Sequence, residues 1–183
     1  MGPDFAVWIT GLPSSGKSTV TRALVEVLGA RGVEAAVLES DTLRQVLTPR
    51  PTYSHEERET FYRVMAYIGP LLVKHGVPVV FDATANRRAY RPAAREAIDR
   101  FLEVYVECPL DVCVARDPKG IYQKARSGGA STVPGVQAAY EPPAPADVVV
   151  SGNSGSPAIA ADTIVRALED KGYIARQAAS TTP

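Results

Sequence analysis

The chain has 183 residues, is 45% hydrophobic, and carries 20 basic and 20 acidic residues for zero formal net charge. That size and core content fit one α/β domain, and the charge balance excludes a broad basic face for a nucleic acid polymer while leaving room for a local basic pocket. No apolar run approaches the roughly 20 residues of a membrane span. The first strand leaves no room for a signal peptide, and two closely spaced cysteines, Cys108 and Cys113, fit a reducing cytoplasm better than a disulfide scaffold.

Phe5–Thr10 is short and apolar, the pattern of a buried strand. Directly after it, Gly11-Leu12-Pro13-Ser14-Ser15-Gly16-Lys17-Ser18 fits G-x-x-x-x-G-K-[ST], a phosphate-binding loop. The glycines let backbone N–H groups turn inward around phosphate oxygens. Lys17 supplies a point charge for the β- and γ-phosphates, and the Ser18 hydroxyl is placed to ligate Mg²⁺. Gly11, Ser14, Ser15, Gly16, Lys17, Ser18 and Thr19 are thus the candidate ATP cradle. Val20, Ala23, Leu24, Val27 and Leu28 have helical spacing, which aims a positive helix end at the same phosphates.

Gly32 breaks that helix, and Val33–Leu38 reads as strand two, ending at Glu39-Ser40-Asp41-Thr42-Leu43-Arg44. Ser54 and Glu57 form a capping box. Phe61, Val64, Met65, Ile68, Leu71 and Leu72 then make a helical apolar stripe, with a kink expected at Pro70 and a stop at Gly76. Val77–Phe81 is strand three, ending at Asp82-Ala83-Thr84-Ala85-Asn86-Arg87. Pro92–Arg100 is helical, Phe101–Val106 is strand four, and Cys113 falls in the next helix. Pro118–Pro145 has weak periodicity and much Gly, Pro and Ser, as a functional lid or a loop would. Ala146–Val150 is strand five and Ile159–Leu168 the last helix. The expected fold is therefore an α/β P-loop NTPase-type parallel sheet of about five strands, with helices on both faces. A single kinase domain is expected over residues 1–176, with a lid at about 117–145 and a frayed tail at 177–183.

Ligands of such sheets bind beyond the carboxyl ends of the strands. Asp41, at one such end, could order Mg²⁺ through water or accept a proton from an attacking hydroxyl; a helix cap is its plain alternative. Asp82 follows an apolar run as a metal-organising acid would, and a buried acid bonded to backbone explains it too. Arg44 and Arg87 sit where a bidentate clamp on an anionic substrate would. Arg58 and Arg63, off or at the edge of the apolar stripe, fit a solvated face as well as a substrate contact. Arg116 to Arg126 is a charge run beside a glycine, in keeping with a lid that closes on phosphates. Asn153, just after strand five, is placed for the ATP adenine or for a capping turn.

These residues resemble the adenylylsulfate kinase family, from about Ala6 to Val150. The loop Gly11–Thr19, the acid and arginine at Asp41 and Arg44, and the run R-D-x-K-G-[LI]-Y-x-K-A-R at Arg116–Arg126 carry the likeness. Gly135-Val136 and Tyr140-Glu141-Pro142-Pro143 extend it. The resemblance implies phosphorylation of the 3′-hydroxyl of adenosine 5′-phosphosulfate by ATP with Mg²⁺, in a homodimer. It gives Lys17 and Asp41 catalytic roles, with Ser18 and, through water, Asp41 at the metal. Arg116 joins the ATP side. Arg44, Arg58, Arg63, Thr84, Arg87, Lys119 and Arg126 join the acceptor side. The family pattern also differs here. Glu39–Thr42 replaces D-G-D-N, Phe61 stands in place of an asparagine, and Ser131, Val133 and Pro134 replace the lid's Lys and Phe-Thr. Val133 thus loses the ring expected against the substrate adenine, which Phe61 could replace unless it is core. A related kinase with a different nucleotide-like or small hydroxylated acceptor is the alternative.

Overall fold

The computed structural model describes residues 4–129 and 132–177; Ser131 and the tail beyond Gln177 lie outside the described residues. Five parallel strands form one sheet in the order β2-β3-β1-β4-β5. They are β1 (Ala6–Thr10), β2 (Ala36–Glu39), β3 (Val79–Asp82), β4 (Phe101–Glu107) and β5 (Val148–Ser151). The central strands are apolar on both faces, and β1 is buried along its whole length, because helices cover both sides of the sheet.

On one face, α1 (Lys17–Ala30) and α7 (Pro157–Asp170) pack Val20, Leu24, Leu28, Ile164 and Leu168 against Val7, Ile9, Leu102 and Val104. On the other, α3 (His55–Lys74) lays Phe61, Tyr62, Met65 and Val73 over Trp8, Val79 and Phe81. Ser54 caps α3 by accepting from the Glu57 N–H at 3.2 Å. The helix runs on through Pro70. The remaining helices are α2 (Ser40–Leu47), α4 (Pro92–Ala97), α5 (Leu110–Arg116) and α6 (Ile121–Arg126).

Several expectations need correction. The helix expected over Pro92–Arg100 stops at Ala97, with Ile98 extended, and strands three and five begin at Val79 and Val148 rather than Val77 and Ala146. Strand two begins at Ala36, not Val33, because the Val33 N–H closes α1 by donating to Leu28 O at 2.9 Å and Gly32 turns at φ 72°. The segment after α5 is not wholly irregular. Gly120 adopts φ 63° and the Asp117 carboxylate accepts from the Gln123 N–H at 2.9 Å, which starts α6. Among the described residues, no helix is long and apolar enough to cross a membrane.

Candidate functional site

The carboxyl ends of β1, β2 and β3 open into a cleft of about 1090 Å³. The loop after β1 forms its floor. Gly16 sits at φ 99° and Ser14 at φ 62°, left-handed turns that point successive N–H groups the same way. A side chain at Gly11 would meet Ser15 Oγ and Val106 O, each at 2.7 Å, so the loop closes only around a glycine. Gly11 and the buried Ser15 lie beneath the cleft surface, whereas Ser14, Gly16, Lys17, Ser18 and Thr19 line it.

Lys17 Nζ donates to Leu12 O at 2.8 Å. Burial pushes its pKa down, against the opposing pull of Asp82 and Asp41. Burial also raises the Asp82 pKa, which Lys17 and a hydrogen bond from Ser18 counter. Asp82 therefore joins the loop's lysine and serine, a placement its position at the end of β3 pointed to without fixing. The Ser18 hydroxyl and the Asp82 carboxylate, with Asp41 on the same cleft wall, are hard oxygen donors that suit Mg²⁺.

Asp41 stands in the first turn of α2, and Lys119 Nζ donates to its Oδ2 at 2.5 Å. That bond is the leading reason the Lys119 ammonium is held above its usual range. Arg44 is 7% exposed. It lies 3.9 Å over the Phe61 ring and 5.1 Å from that of Tyr53, and pairs with Glu57 at 3.3 Å. Arg58 lines the same wall, its Nη2 donating to Thr132 O at 2.8 Å. Thr84 and Val133 complete the lining, and Arg116 reaches from α5 to donate to Gly152 O at 2.6 Å.

Other candidates fall elsewhere. Phe61 is 2% exposed and belongs to the α3–sheet core, under Arg44, so it offers no ring to a ligand. Arg63 turns outward to Thr60 Oγ1 at 3.3 Å. Arg87 is bound to His55 at 2.7 Å. Arg126 is exposed on α6 and does not line the cleft. Asn153 is folded into a turn, its amide oxygen accepting from Ser151 Oγ at 2.8 Å. Val133 lines the cleft but is 6% exposed, packed with Leu12, Cys108 and Tyr122.

Several cleft residues went unread in the sequence, Tyr53, Tyr62 and Arg22 among them. Tyr53, at φ 54°, precedes the capping serine in a stretch without periodicity. Tyr62 was hidden by its neighbour in the apolar stripe. Arg22 lies one helical turn beyond Ser18, and that spacing was the available signal. Cys108 and Cys113 are both buried, and burial pushes the Cys113 thiol up to about 12.

A family model described as adenylylsulphate kinase matches residues 3–151. The chain is 37% identical over 168 residues to an adenylyl-sulfate kinase of Synechococcus sp. (strain JA-2-3B'a(2-13)), covering 92% of this chain and 96% of the relative. It is 35% identical over 170 residues to a probable adenylyl-sulfate kinase of Pyrococcus abyssi, covering 93% and 98%. The solved structure of the Mycobacterium tuberculosis APS kinase in complex with AMPPNP and APS superposes with a TM-score of 0.86 at 31% identity, covering 92% of this chain and 99% of that one.

Proposed function

The chain belongs to the adenylylsulphate kinase family, and we propose that it transfers the γ-phosphate of ATP to the 3′-hydroxyl of adenosine 5′-phosphosulfate. The observation that carries this reading is the meeting, in one cleft, of the phosphate loop with Asp41, Arg44 and Lys119. The loop N–H groups and Lys17 hold the triphosphate. Mg²⁺ fits Ser18 and Asp82, with Asp41 through water; when bound it neutralises charge on the β- and γ-phosphate oxygens.

Asp41 accepts the proton of the attacking hydroxyl, once Lys119 exchanges its carboxylate for phosphate oxygens. Arg44, held over Phe61 at the cleft wall, takes the acceptor's anionic group. Residues 117–145 act as a lid that excludes water. The reaction needs positioning and charge neutralisation, and no covalent nucleophile. One kinase domain over residues 1–176, a homodimer and a cytoplasmic site complete the proposal, on family resemblance and cysteine usage.

A second reading keeps the chemistry and changes the acceptor. Burial of Phe61 and Val133 favours it, because neither presents a free ring to an adenine. Phosphorylation assays over a panel of hydroxylated acceptors separate the two. Good turnover of adenosine 5′-phosphosulfate, lost in Lys17→Ala, supports the first; poor turnover beside good use of another acceptor sinks it.

A further inference from the structure

A hydrogen-bond chain on the acceptor side of the cleft has no part in the phosphoryl-transfer scheme. Arg58 is 8% exposed and has no carboxylate partner among the described residues. Its charge is met instead by neutral oxygens. Nε donates to Tyr53 O at 3.0 Å, Nη1 to Asn86 Oδ1 at 3.2 Å, and Nη2 to Thr132 O at 2.8 Å.

Asn86 is 3% exposed and works in the opposite direction as well. Its Nδ2 donates to Ala139 O at 2.9 Å, and its backbone carbonyl accepts from Glu141 N at 2.7 Å. The buried Asn86 side-chain amide thus holds Arg58 at one end and Ala139 at the other, while its backbone carbonyl holds Glu141. Both ends of the stretch 132–141 are fixed this way, Thr132 by Arg58, Ala139 and Glu141 by Asn86.

A guanidinium taken out of water is costly unless each donor is matched. Displacing this stretch would strip the buried Arg58 Nη2 and Asn86 Nδ2 of their acceptors, so the bonds favour a single placement. The nucleotide side depends on different anchors, the loop at 11–18 and Arg116 on Gly152.

We propose that Asn86 and Arg58 form a latch that holds residues 132–141 over the acceptor half of the cleft, with Asn86 as a positioning residue. The proposal deepens the function given above, and only its kinetic arm rests on that reading.

The test compares Asn86→Ala and Asn86→Asp with the unaltered chain. In steady-state assays, Asn86→Ala should raise KM for adenosine 5′-phosphosulfate about tenfold, the scale of a lost buried hydrogen bond. KM for ATP should stay within about twofold, since its anchors are untouched. Trypsin cleavage after Lys124 and Arg126 in the ligand-free protein, followed by mass spectrometry, should quicken by a similar factor. Asn86→Asp keeps the volume and still accepts from Arg58 but cannot donate to Ala139 O, so both effects should shrink to about threefold by the same scale.

Unchanged acceptor KM and unchanged cleavage overturn the latch. Equal losses for both substrates, with no recovery in Asn86→Asp, also overturn it, by making Asn86 merely structural. If Asn86→Ala does not fold, Asn86→Asp alone decides, and wild-type behaviour in it counts against the proposal. Should the unaltered protein fail to use adenosine 5′-phosphosulfate, the proposed function falls and the cleavage rates decide the latch by themselves.

Discussion

At the scale of single residues, Asp41 is the group proposed to take the proton in the transfer. Its carboxylate is 58% exposed and, among the described residues, is engaged only with Lys119, at 2.5 Å, so an incoming hydroxyl can reach it once that bond is exchanged. Asp41→Ala should lower kcat by about 10²–10⁴-fold, the usual worth of a positioned general base. ATP affinity should change far less, because the loop and Lys17 hold the triphosphate independently. Single-turnover rates and equilibrium nucleotide binding check both halves, and an undiminished kcat would remove Asp41 from the proton transfer. The loop from Gly11 to Thr19 was legible in the sequence because the motif fixes residue identity and spacing together. Phe61 and Arg87 were not. Whether an aromatic residue at the edge of a stripe faces core or cleft depends on what lies over it, here Arg44, and Arg87 is claimed by His55 from another element.

At the scale of elements, close packing between α3 and β3 supports the cleft wall. A methyl group on Gly69 would stand 2.0 Å from Phe81 Cζ, and the Phe81 ring cannot retreat because it stacks on Trp8 at 4.4 Å. Gly69→Ala gains helix propensity of up to about 1 kcal/mol yet should destabilise the protein by roughly 1–3 kcal/mol through overpacking. Chemical denaturation measures the sign. On the far side of the sheet, Asp147 ties β5 to β4 and α4. Partial burial works against its charge, but the Glu103 N–H at 2.7 Å and Arg95 at 2.6 Å outweigh it and hold the carboxyl below 3.8. A depressed folded-state pKa stabilises above the unfolded value and stops doing so as pH falls through the folded one. Asp147→Asn should therefore cost about 1.5–3 kcal/mol near neutral pH, the worth of hydrogen bonds to a charged group. The difference from the unaltered chain should begin to narrow below about pH 4 and close only as pH falls through the lower folded-state value, as paired denaturation curves across pH would record. The five strands and helices α1, α3 and α7 came through from apolar patterning, glycine breaks and capping signals, whereas α2 was not read as an element and α4 stops at Ala97 short of the expected Arg100. The start of β2 and the existence of α6 did not come through, since both depend on how Gly32 and Gly120 turn, and on Asp117 capping a helix too short to show a period.

At the scale of the whole molecule, the strand order β2-β3-β1-β4-β5 explains why two substrates can share one cleft. The phosphate loop leaves the central strand, while Asp41 and Arg44 follow the edge strand β2, with β3 and Asp82 between them. The proposed ATP half and acceptor half therefore hang from different strands of one sheet, and each should be separable from the other by ligand linkage. A nucleotide analogue with Mg²⁺ at about 100 times its Kd should stabilise the fold by about 2.7 kcal/mol. In a chain of this length that is a rise in Tm of roughly 5–10 °C. Lys17→Ala should lose most of that rise while keeping the rise caused by the acceptor. Arg44→Ala should show the opposite pattern, because Arg44 lines the cleft from α2 and its guanidinium is partnered by Tyr53, Phe61 and Glu57 rather than by the loop. Calorimetric melting of both variants with each ligand alone gives a two-by-two comparison. Loss of both responses in either variant would mean that the halves are coupled through more than the sheet, and that Arg44 does more than hold the acceptor.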